Sequence, residues 1–205
     1  IIQNIRLYYF INNVIKMIMK KNTFKFNNNR SIVLIGMMGV GKTSIGKLLS
    51  NETLLPFYDS DNEIESALDL SIKDIFEKYG ENYFRNKEVE IFESLINREQ
   101  SIIASGGGSF VNQKTQKKIK ENCISIWLNA SEETLLERLK NTTKRPLLDV
   151  DNRKEMLLSL LKEREREYSK ADIEIIVDGL DKSLIIKKIL KSLEDYFLIN
   201  KNEKI

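Results

Sequence analysis

Eight consecutive residues, Gly36-Met37-Met38-Gly39-Val40-Gly41-Lys42-Thr43, fit the pattern Gly-x-x-x-x-Gly-Lys-[Ser/Thr] of a polyphosphate-binding loop. Its glycines let backbone N–H groups turn inward around phosphate oxygens. Lys42 is placed to reach β- and γ-phosphates, and Thr43 to offer a hydroxyl to Mg²⁺. The bland alternative, a glycine-rich turn that binds nothing, does not account for Lys-Thr following an apolar strand and opening a helix. Further along, Asp59 and Asp61 stand two residues apart. In extended chain they point the same way. One can serve Mg²⁺ through water while the other takes a proton from an attacking hydroxyl. Alone they would read as two solvated acids in a turn; beside a phosphate loop they read as a site.

More charged groups follow. Arg85 and Glu88 share a helix face, either as an ordinary surface ion pair or as an arginine held ready for an anion. Gly106-Gly107-Gly108 ends a buried strand too abruptly for a linker and permits close backbone approach by a ligand. Arg138 lies near a helix end. Asn141 to Leu148 is polar, basic and stopped by Pro146, the make-up of a lid that brings Arg145 over a transferred phosphate. Arg164 and Tyr168 sit on a charged helix. The chain has no histidine, which excludes histidine-based metal sites and Ser-His or Cys-His nucleophiles and leaves acid–base work to carboxylates, Lys or Tyr.

The elements that must position these groups alternate. Apolar runs predict strands at Ile32–Ile35, from Pro56 to Asp59, Ser101–Ala104, Ile124–Leu128 and Ile173–Val177. Helical spacing predicts a helix after Thr43, one from the Ser71 cap to Tyr79-Gly80, and one from Glu81 to about Asn97. Others are predicted from Ser131, over residues 150 to 169, and over Leu184–Phe197. The fold class is α/β, a five-stranded parallel sheet sandwiched between helices, with a mobile lid at about residues 138–150.

The 205 residues suit one such domain, at residues 31–198, and 41% hydrophobic content suffices for its core. Residues 1–30 hold Arg6, Lys16, Lys20, Lys21, Lys25 and Arg30 and no acid, so with a net charge of +3 the remainder is slightly acidic. That argues against a nucleic-acid surface on the domain. The first thirty residues are expected to be a disordered or loosely helical extension, with no run long enough to span a membrane. Residues 199–205 are expected to be a tail. The single cysteine, Cys123, lies in an apolar run and reads as a core residue.

Taken together, the phosphate loop, Asp59-x-Asp61, Phe84-Arg85 with Glu88, the three glycines, Arg145-Pro146-Leu147-Leu148 and Arg164 with Tyr168 resemble the shikimate kinase family in order and interval, over about residues 31 to 197. The resemblance implies a nucleoside-monophosphate-kinase-like P-loop fold. It also implies transfer of the γ-phosphate of ATP to the 3-hydroxyl of shikimate, a step toward chorismate and aromatic amino acids. It implies ATP contacts from Gly39, Val40, Gly41, Lys42, Thr43, Ser44, Arg138 and Arg145, with Mg²⁺ on Thr43 and, through water, Asp59. Asp61 is then the base and a substrate ligand, Arg85 and Arg164 hold the carboxylate, and Gly107 makes a backbone contact. The implied partners are the two small substrates, with no nucleic acid or membrane, in a cytoplasmic monomer. Two departures stand out: Arg166 replaces a frequent proline, which predicts an altered helix end, and Gly179-Leu180-Asp181 replaces a basic residue near the adenine. A gluconate or nucleotide kinase would share the fold and phosphate loop; a non-catalytic binding module would be expected to lack Lys42, Asp61 or an arginine.

Overall fold

The computed structural model describes residues 29–139 and 153–202. The extension up to Asn28, the segment bearing Arg145 and the last three residues lie outside these. At the centre, β1 (Ser31–Ile35) is buried throughout, as expected of a strand covered on both faces. β2 (Phe57–Asp59), β3 (Ile102–Ala104), β4 (Cys123–Asn129) and β5 (Ile173–Ile176) join it in the order β2-β3-β1-β4-β5, every pairing parallel. From β1 the chain turns first toward β2 and β3, then toward β4 and β5. The crevice at the carboxyl end of β1 is therefore the topological switch point where such sheets bind ligands. Register puts Ala104 opposite both Leu34 and Asp59, and Ile35 opposite Trp127, so the loops leaving β1, β2 and β3 start at one level.

Seven helices flank the sheet among the described residues: α1 (Lys42–Thr53), α2 (Ser60–Leu68), α3 (Ile72–Ile96), α4 (Gln113–Asn122), α5 (Glu132–Leu139), α6 (Arg153–Tyr168) and α7 (Lys182–Asn202). α1 lies close on β2 because Gly46 has no side chain; a Cβ there would sit 2.3 Å from the Phe57 ring. Gly80 interrupts α3 with φ 78°, which is where the two predicted helices were divided. Cys123 is buried at the start of β4, and burial pushes its thiol up to about 12, as suits a core residue.

Three elements differ from expectation. α2 was not foreseen. It forms because the Asp59 carboxylate caps it, accepting from the backbone N–H groups of Asp61 and Asn62. Asp61 therefore stands in the first turn of a helix and not in extended chain. α4 was not foreseen either; Asn112 caps it in the same way. α7 is longer than predicted at both ends, since the Asp181 side chain takes the Leu184 N–H at its start. α2 and α3 share a small apolar cluster of Ile64, Ile75 and Phe84, separate from the main core, which holds this helical pair beside the crevice.

Candidate active site

The loop between β1 and α1 is built on left-handed glycines, with φ 81° at Gly39 and 105° at Gly41. Lys42 is only 8% exposed, and its ammonium donates to the Gly36 and Met37 carbonyls at 2.7 and 3.0 Å, the acceptors its own loop provides. The Arg138 guanidinium, at the end of α5, donates to the Val40 carbonyl at 2.9 Å and so reaches the same loop. The Thr43 hydroxyl donates to Asp59 Oδ2 at 2.6 Å, while Oδ1 of that carboxylate caps α2. Gly39, Gly41, Lys42, Thr43, Ser44, Asp59, Asp61 and Ser105 line a cavity of about 290 Å³.

A second cavity, about 250 Å³, opens on the other side of Asp61. Its walls carry Asp61, Arg85, Glu88, Gly106, Gly107, Gly108 and Arg164, with Met38, Phe76 and Phe84 as apolar lining. Asp61 is thus common to both spaces. The Arg85–Glu88 pair is not an ordinary surface ion pair. Arg85 donates at 3.0 Å to Glu88, which is 1% exposed and whose other oxygen accepts from the Ser109 hydroxyl at 2.8 Å. Glu81 takes the outer side of the same guanidinium. Burial works against charge on Arg85, but the two carboxylates outweigh it and raise its pKa further. Arg164 projects from α6 and is 5% exposed.

The three glycines have one physical reason between them. A Cβ on Gly106 would lie 2.7 Å from both Asp61 and Glu88 oxygens, one on Gly107 3.0 Å from an Arg164 nitrogen, and one on Gly108 2.5 Å from an Arg85 nitrogen. Each missing side chain makes room for a charged one. The Gly106 N–H is fixed by Ser60 Oγ at 2.8 Å, which ties the glycine run to the Asp59-Ser60-Asp61 turn.

All the singled-out site residues within the described segments therefore border one of two adjoining cavities or the loop between them. Arg145 lies outside the described residues. α6 runs through Arg166 to Tyr168. Beyond β5, where the basic residue is missing, the Asp178 carboxylate accepts from Ser131 N and Oγ and fastens that turn to the head of α5. Partial burial opposes ionisation of Asp178, yet the hydrogen bonds from Thr134 and Ser131 and the nearby Arg138 charge hold its pKa below the usual carboxylate range. Sequence reading gave no task to Ser60, Ser109, Asp178 or Tyr168. Only Tyr168 carried a signal, its spacing of four residues from Arg164 on a helix.

A family model described as shikimate kinase matches residues 38–194. A shikimate kinase of Bartonella henselae is 38% identical over 177 residues, covering 86% of this chain and 84% of the relative. One of Thermodesulfovibrio yellowstonii is 41% identical, covering 80% and 95%. Among solved structures, shikimate kinase from Acinetobacter baumannii in complex with shikimate superposes with a TM-score of 0.80 at 33% identity, covering 83% of this chain and 96% of that one.

Proposed function

Because the chain belongs to the shikimate kinase family, we propose that its two adjoining cavities divide the family's reaction, the ATP-dependent phosphorylation of shikimate, into a nucleotide side and an acceptor side. The observation that carries this division is Asp61, the residue shared by both spaces.

On the nucleotide side, the loop from Gly39 to Ser44 cradles the phosphates. Lys42 exchanges its loop carbonyls for β- and γ-phosphate oxygens, stronger acceptors because they are charged. Arg138 flanks the loop from α5, and Arg145 supplies further positive charge at the phosphates. Magnesium suits the head of α1, where Thr43 and Asp59 present hard oxygen donors within 2.6 Å of each other. Bound there, it supplies positive charge to the phosphates, with Asp59 acting through water.

On the acceptor side, Arg85 and Arg164 take the shikimate carboxylate, and the Gly107 backbone lies against it. A small anion with three hydroxyls is complementary to two arginines and one carboxylate. Asp61 orients the hydroxyls and accepts the proton of the 3-hydroxyl as its oxygen bonds to the γ-phosphorus and the bond to the β-phosphate oxygen breaks. ADP and shikimate 3-phosphate leave. Phosphoryl transfer needs alignment and charge neutralisation more than covalent help, and these residues offer both.

No helix among the described residues is long and apolar enough to cross a membrane. We place the protein in the cytoplasm as a monomer acting on its two small substrates. The test is ADP release from ATP and Mg²⁺ with shikimate, with gluconate, with nucleoside monophosphates and with no acceptor. Release that depends on shikimate alone is expected; release driven by another acceptor would overturn the assignment.

A further inference from the structure

Tyr168 ends α6 and is 2% exposed, and no step of the transfer uses its hydroxyl. That hydroxyl is nonetheless engaged. It donates to the Gly107 carbonyl at 2.5 Å, and the positive charge of Arg164, one helical turn earlier, acts on it. The Met37 sulfur, at 3.9 Å, completes its surroundings. One oxygen thus stands with the middle glycine and one of the two arginines. Because the peptide unit is planar and trans, fixing the Gly107 carbonyl toward Tyr168 turns the Gly108 N–H the opposite way. The same peptide lies between the arginines: missing side chains on Gly107 and Gly108 would begin 3.0 Å from Arg164 and 2.5 Å from Arg85.

We propose that Tyr168 is a positioning residue for the acceptor's carboxylate: its hydroxyl locks the Gly107–Gly108 peptide and Arg164 into one unit, and so sets the preference for an anionic acceptor. The proposal rests on reading this cavity as the shikimate site. Burial pushes the Tyr168 hydroxyl up to about 12, so it keeps its proton, and its donor role, at working pH. Removing it leaves the Gly107 carbonyl without this donor and takes a polar neighbour from Arg164, both at the carboxylate and neither at the phosphates.

The experiment compares Tyr168→Phe with wild type in the full chain. The buried ring stays, so the fold is kept, with circular dichroism and melting temperature as the check. KM for shikimate should rise roughly ten- to a hundredfold while KM for ATP holds. The deciding measurement uses shikimate carboxamide, which has the same ring without the charge. Wild type should favour the acid strongly, and Tyr168→Phe should shrink that preference by the factor lost for shikimate, since the amide gains little from the clamp. Equal losses for acid and amide would show that Tyr168 only supports the fold, and an unchanged shikimate KM would show that it does nothing here; either overturns the proposal. If wild type itself fails to phosphorylate shikimate, the reading of the cavity falls and the proposal falls with it.

Discussion

Two arginines meet one small cavity, but they are held differently, and this governs how they should be tested. Arg85 neutralises Glu88, which is almost wholly buried. Arg85→Ala would strand that carboxylate, so its loss of activity would mix misfolding with lost binding. Arg85→Lys keeps the charge and gives up the planar two-pronged contact. We expect Arg85→Lys and Arg164→Lys each to weaken shikimate binding, by calorimetry, with ATP affinity measured without shikimate unchanged. Full removal of a desolvated charged partner costs roughly 2–5 kcal/mol, and lysine should fall below that range. Equal weakening of ATP would move Arg164 to the nucleotide side. Asp61→Asn keeps the shape and loses the proton acceptor, so kcat should fall about 10²–10⁴-fold. A fall under about threefold would reduce Asp61 to a binding residue. The sequence pointed to these side chains because each sits in a local pattern. It gave no task to Ser109 or Tyr168, because their partners are 21 and 61 residues away and only the fold brings them together.

Among the elements, the phosphate loop was legible because strand, glycines and helix follow one another directly. The Asp59 turn was misread because one residue serves two elements: it ends β2 and caps α2, and a three-residue strand leaves little periodicity to separate them. A similar side-chain tie joins β5 to α5 through Asp178 and Ser131. The folded pKa of Asp178 is lowered, so the tie contributes above the unfolded carboxylate range and is lost as pH falls through the lowered value. Thermal melts should show Asp178→Asn less stable than wild type near neutral pH. The gap should close as pH drops below about 4. A gap that persists at low pH would mean the charge of Asp178 is not what holds the turn.

At the scale of the whole molecule, among the described residues the sheet, core and both cavities are built from residue 31 onward, and the basic, Asn-rich stretch before it matches none of the site motifs. A chain beginning at Lys21 should keep the melting temperature and turnover of the full chain. A clear fall in either would show that Tyr8, Tyr9 and Phe10 pack on the domain. The arrangement of the two cavities has a consequence for ligands. On the proposed division, a polyphosphate in one space and the hydroxyls of a ring acid in the other would meet at Asp61, which lines both. A single molecule joining the two groups by a short tether would fill both spaces at once, its second contact made at the high effective concentration of a tethered partner. Such a bisubstrate compound should bind tighter than either half by about 10²–10⁴-fold, and lengthening the tether should erode that gain.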